Sequence, residues 1–131
     1  SVTSWLQWNN TSGTLSFFNG GVDKLKLGTN GVLTVNKAVT FDSEYNYGSS
    51  STAATISFVN GQKQRITLTA NCTITFVFPG IGNYQLLLIQ DGAGSRAVTW
   101  YNVSKYVGSA TAPAINTAAS SETVVSIYYD G

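Results

Sequence analysis

Past residue 55 the chain alternates apolar with polar residues at a period of two, the spacing that turns one set of side chains toward a core and the next set away from it. β-Branched and aromatic residues fill many of these positions, and no stretch repeats apolar residues at helical spacing. Strands are expected over residues 55–59, 64–69, 73–78, 83–90, 96–100 and 122–129, with turns at Pro79-Gly80-Ile81-Gly82 and Asp91-Gly92-Ala93-Gly94. Leu86-Leu87-Leu88-Ile89 interrupts the alternation with a continuous apolar run. Such a run marks a strand covered on both faces, inside a sandwich or between a sheet and a partner subunit. Residues 109–121 are rich in Ala, Ser and Thr, but Pro113 and the hydroxyl content argue against a helix. A long crossing loop with a short strand near Ile115 is expected there, as a Greek-key or jelly-roll sandwich requires.

Before residue 44 the apolar runs are shorter. Residues 14–18, 24–27, 32–35 and 38–41 are expected strands, separated by Asn19-Gly20-Gly21, Gly28-Thr29-Asn30-Gly31 and Asn36-Lys37, where Asn and Gly supply the positive φ of tight turns. The expected fold is therefore all-β: an antiparallel β-sandwich, jelly-roll or Greek-key-like, over residues 55–131, after a Ser/Gly loop at 44–54 and an N-terminal arm of short strand-turn units at 1–43. Two readings of residues 1–43 stand side by side. In one, three copies bury one another's apolar faces as a stalk; in the other, Leu15, Phe17, Leu25, Leu27, Leu33 and Val35 complete the same sandwich.

A chain of 131 residues can bury roughly two thirds of its unfolded surface without staples. Charge removes several functions. The net charge is +1 with 10% charged residues, and the seven Lys and Arg are scattered, so the basic stripe that nucleic acid demands is missing. No apolar stretch is long enough for a spanning helix, and the N-terminus lacks a signal-peptide pattern, so no membrane insertion is expected. Cys72, the one cysteine, falls in an alternating run and is expected to be a packed apolar thiol. Asn9, Asn10, Asn71 and Asn102 head Asn-x-Ser/Thr triplets, which this composition produces by itself, so none is read as a glycan site.

With no His, the Ser-His-Asp and Cys-His machineries and the commonest metal ligand are absent together. Asp42 and Glu44 are the only carboxylates close in sequence, and they read as solvated residues at a strand end rather than a glycosidase pair. No catalytic residue, metal site or cofactor is assigned. Binding, if present, would use aromatic rings, which stack on sugar faces and hydrogen-bond at their edges. Tyr45 and Tyr47 beside the Ser/Gly loop, with Trp100, Tyr101 and Tyr106 around a strand end, are the candidate ligand contacts, although a core or subunit-interface place weighs more for Trp100. Trp5 and Trp8 are the candidate particle or subunit anchors.

The phrases Gln64-Arg65-Ile66-Thr67-Leu68-Thr69-Ala70-Asn71, Gln90-Asp91-Gly92-Ala93-Gly94-Ser95-Arg96-Ala97-Val98-Thr99-Trp100 and Val124-Val125-Ser126-Ile127-Tyr128-Tyr129-Asp130-Gly131 come in that order and spacing. Together they resemble a domain found at or near the C-terminus of bacteriophage tail-fibre-like and other virion appendage proteins. Members usually carry a proline after the Trp100 position and a second tryptophan further on; this chain has Tyr101 and Tyr106 there. The resemblance implies a non-enzymatic β-rich module of a virus particle, often trimeric, assembled in the bacterial cytoplasm. Its partners would be itself, other capsid or tail proteins and a host surface glycan. Three functions compete: a tail fibre or receptor-binding segment, a capsid decoration or cement protein, and a lectin-like or glycan-degrading module.

Overall fold

A computed structural model describes residues 4–9, 13–19, 22–103 and 111–131. The chain divides into two compact units, Ser1–Asp42 and Ser43–Gly131.

In the first unit β1 (Ser4–Asn9), β2 (Thr14–Asn19), β3 (Val22–Leu27) and β4 (Leu33–Val35) pair antiparallel in chain order. The turn into β4 shows why Asn and Gly are needed. Gly31 takes a φ of 77°, its N–H donates to Gly28 O, and Asn30 Oδ1 accepts from Val32 N. β1 was not expected, because Trp5-Leu6-Gln7-Trp8 does not alternate, whereas residues 38–41, expected as a strand, form none. A single sheet gives its apolar residues little cover. Phe17 is 50% exposed and Leu33 58%, with Val22 and Leu27 also exposed.

The second unit is also all-β, and its strands lie in two layers. One is ordered β11-β9-β7-β5 and the other β10-β8-β6, where β5 is Tyr45–Ser49, β6 Ala53–Ser57, β7 Lys63–Leu68, β8 Cys72–Val77, β9 Gly82–Gln90, β10 Val98–Trp100 and β11 Glu122–Tyr129. Two layers around one core match the expected sandwich, but the pairing inside them does not. β5, β7 and β9 run parallel, as do β6, β8 and β10, and only β11 joins antiparallel, against β9. The chain thus winds as a coil, crossing between layers at each reversal, in place of antiparallel jelly-roll or Greek-key pairing. At the first two polar reversals the turn chemistry accords with this. A tight hairpin needs positive φ, and none of Ser50, Ser51, Thr52, Thr69, Ala70 or Asn71 adopts it. The strand after each of these reversals therefore enters the opposite layer. Residues 44–54, expected as a loop, contain β5, bulged where Gly48 takes a φ of 93°.

Stacked coils place like residues over like. Ile56 pairs beside Phe76 and Ala54 beside Ile74 in one layer, and Ile66 beside Leu88 in the other. The inward set, Ala54, Ile56, Phe58, Ile66, Leu68, Cys72, Ile74, Phe76, Tyr84, Leu86 and Leu88, forms one buried cluster. Val125, Ile127 and Tyr129 of β11 pack against it, as does Ile115, which lies outside any strand, where a short one was expected. Truncating Ile66 to Ala, at a side chain with no exposure, should cost about 2–5 kcal/mol. Val59→Ala, at a residue 66% exposed, should stay within about 0.5 kcal/mol. Urea titration of both variants checks the contrast.

Candidate functional site

The coil has two rims of opposite character. On the first, where the chain leaves β5, β7 and β9, the reversals are polar and hydrogen-bonded to one another. Ser50 N–H donates to Thr67 O, Thr69 N–H donates to Ser50 Oγ, and the Thr69 hydroxyl donates to Ser50 O. Asn71 Oδ1 accepts from Ala97 N and Cys72 N–H donates to Ala97 O, which ties the second reversal to the third. Burial pushes the Cys72 thiol up from its ordinary value, against a smaller opposing effect of the Ser50 hydroxyl, so it stays protonated and inert.

The third reversal is the phrase Gln90 to Arg96, and each of its unusual residues has a mechanical task. Buried Gln90 accepts from Arg96 N at 2.9 Å and donates to Arg96 O at 2.9 Å, imitating a strand partner. Asp91 Oδ1 accepts from the N–H groups of Ala93 and Gly94, which folds the turn. Arg96 meets Asp91 through Nε and Nη2, the latter at 2.8 Å. That hydrogen bond is the main reason the Asp91 carboxyl lies below its ordinary value; partial burial opposes it, and the Gly94 and Ala93 N–H groups and the Arg96 charge reinforce it. Gly94 has a φ of 68°, and a Cβ there would lie 2.6 Å from Ala119 N. Ser95 N–H donates to Thr117 O and Ser120 N–H to Asp91 O, so the segment before β11 is fastened to the same turn.

The opposite rim is apolar. Val59, Ile81 and Tyr101, one after each of β6, β8 and β10, are 66%, 73% and 63% exposed. Beneath them Phe58, Phe76, Phe78, Tyr84, Trp100 and Tyr129 form a chain of ring contacts, the closest between Phe78 and Tyr129 at 4.3 Å. Asn102, at a φ of 55°, closes the β10 end by accepting from Phe76 N and donating to Phe76 O. Gln64 Nε2 donates to Ser57 O and Gly61 O, while its buried Oε1 has no partner among the described residues.

The aromatic candidates separate. Tyr45 and Tyr47 are exposed on β5 in the first coil. Trp100 lies two coils away in the other layer, partly buried with its ring stacked on Phe76 at 5.9 Å, and its neighbour Tyr101 is exposed. The structure gathers no single aromatic platform from these four. Tyr106 lies outside the described residues. Trp5 and Trp8 belong to β1, opposite Phe18 and Leu15 of β2. Glu44 is ion-paired with Arg65 at 4.0 Å, and no group of three Cys, Asp or Glu residues suited to a metal ion occurs among the described residues.

Sequence reasoning missed the residues that lock the rims, Gln64, Gln90, Asn71 and Asn102. A signal existed for the two glutamines: Gln64 is in phase with Ile66 and Leu68, and Gln90 with Leu86 and Leu88, so both amides had to be buried and partnered. The asparagines gave none, since nothing local distinguishes an amide serving a neighbouring coil from a solvated one.

Residues 54–131 match the family described as "Putative phage tail fibre C-terminal domain". No curated protein and no solved structure matches the chain.

Gly94→Ala should destabilise the fold by at least about 1–2 kcal/mol, the cost of the left-handed backbone alone, before any clash with residues 117–119. Thermal melts against wild type check it. The Asp91 value is depressed by folding, so its contribution is full above the ordinary carboxylate range and lost as pH falls through that range to the folded value. The melting midpoint of Asp91→Asn should therefore fall below that of wild type near neutral pH and converge on it in acid.

Proposed function

The chain belongs to the phage tail fibre C-terminal domain family, and on that footing we propose that it is a trimeric, non-enzymatic segment of a tail fibre that meets the host surface. As a member it is part of a phage virion appendage. The family match carries the choice of fibre over capsid decoration, since it spans nearly all of the second unit.

Trimerisation is supported by the first unit, whose single sheet leaves Phe17, Val22, Leu27 and Leu33 exposed. A sheet in water needs its apolar side covered, and copies around an axis supply that cover. A purely structural action is supported by the absence of His from the sequence and by a third reversal whose one carboxylate, Asp91, is occupied by Arg96 and two peptide N–H groups. No carboxylate there is left to act as an acid or base. Host contact, in this reading, falls to the exposed aromatics Tyr45, Tyr47 and Tyr101, with Tyr106.

Sedimentation of the full chain should give a trimer at micromolar concentration, and a stable monomer would remove the reading. Incubation with host capsule or cell-wall polysaccharide should release no sugar. With Trp5 and Trp8 facing the particle, the Trp5→Ala, Trp8→Ala double variant should lose about 2 kcal/mol or more of attachment per buried anchor, seen as reduced incorporation into particles with the second unit still folded. Tyr45→Ala and Tyr47→Ala should instead incorporate normally and adsorb poorly to cells.

A further inference from the structure

The run Leu86-Leu87-Leu88-Ile89 has one face accounted for and one not. Leu86 and Leu88 are buried in the core, 0% and 2% exposed. Leu87 and Ile89 therefore lie on the outer face of β9. Register places Val124 beside Leu87, and Val124 is 63% exposed. Continuing across the layer, Leu87 adjoins Arg65 and Ile89 adjoins Thr67 of β7, while Glu122 of β11 lies on the far side of Ile89. An apolar stripe thus runs along this face with a cation on one side and an anion on the other.

The outer face of the second layer is different. It carries Thr55, Ser57, Thr73, Thr75 and Thr99 with no charge among them, and its apolar residues, Ala53 and Val77, stand at opposite ends of their strands and form no stripe. Hydroxyl rows of this kind are satisfied by water, whereas a partly exposed Leu-Ile-Val stripe bounded by opposite charges has the apolar centre and polar margin of a protein contact.

We infer that the outer face of the β11-β9-β7-β5 layer is where copies of this chain meet, with Leu87, Ile89 and Val124 at the centre and Glu122 of one copy facing Arg65 of the next. The inference rests on the trimer proposed above and names its surface. Opposite charges on the two flanks of one face let one flank of each copy meet the other flank of the next, a head-to-tail contact that can close as a ring of three and that selects copies of this chain over an unrelated partner. Arg65 is already near Glu44, but that contact is at 4.0 Å between exposed groups and contributes little, so Arg65 remains able to reach an anion across the contact.

The test is sedimentation equilibrium of full-length variants, with circular dichroism to verify folding. Val124→Lys, at an exposed position, should dissociate the assembly. Glu122→Arg and Arg65→Glu should each weaken it by about tenfold or more, and the double reversal should restore it. Thr55→Lys on the opposite layer should leave it intact. A wild-type monomer would sink the proposed trimer and this surface together. A wild-type trimer that withstands Val124→Lys and both charge reversals would sink the surface alone, as would a trimer that dissociates with Ile81→Lys or Thr55→Lys but not with Val124→Lys.

Discussion

A parallel coil stands or falls on the height of its reversals. Each strand must arrive beside the same residue of the coil before it, because a slip of one position sends every inward side chain to water. In this protein side-chain hydrogen bonds fix that height: Ser50 with Thr69 and Asn71 with Ala97 join one reversal to the next, Asn102 joins the end of β10 to Phe76 of β8, and Gln90 with Arg96 sets the shape of the third reversal itself. Backbone ladders alone would not do this, since they are equally satisfied in a shifted register. Gln90 is the most selective of these, because a buried amide that loses its partners costs roughly 1–3 kcal/mol, a penalty on every wrong register and not on the right one. The apolar core then contributes most of the stabilisation, and the amides decide where it forms.

The same device explains why the two rims differ. Polar locking concentrates on the side holding the Gln90 to Arg96 turn, where the segment leading to β11 must also be gripped if that strand is to close the layer against β9. Gly94 is part of that grip, since Thr117 O and Ala119 N occupy the space of a side chain. Locking on the other side adds packed rings to the amides of Gln64 and Asn102, and Val59, Ile81 and Tyr101 are exposed there. A protein with little net charge and hydroxyl-rich outer positions has weak long-range steering, so contacts here depend on shape and burial at short range.

How much of this was legible in the sequence depends on the range of the information. The bounds of β11 were legible, because β-branched and aromatic residues crowd Glu122–Tyr129, but its buried face was not, since Val124 and Tyr128 on the exposed face are no more polar than Val125 and Tyr129 on the other. A period of two was legible in β7 and β8, and with it the all-β class, whereas the apolar run Leu86 to Ile89 hid which face of β9 turns inward. Parallel pairing was not legible. Alternation reports which face of a strand is buried and is silent on which strand lies beside it, and a three-residue link reads as a hairpin unless its backbone angles are known. The aromatic candidates were sound as residue types, yet Tyr45 and Trp100 fall in different coils and different layers, a separation that follows from winding and not from any local pattern.

Assembly and folding are coupled differently in the two units. The second unit encloses its own core, with six side chains of Ile and Leu wholly or almost wholly buried, so it has a folding free energy of its own. The first unit is a single antiparallel sheet in which Phe17 and Leu33 are half or more exposed. Its local hydrogen bonds, such as Gly28 N–H to Val32 O, set turns but bury almost nothing. In the proposed trimer the first unit draws most of its stability from association, whereas the second, which encloses its own core, gains from association only what its outer face adds.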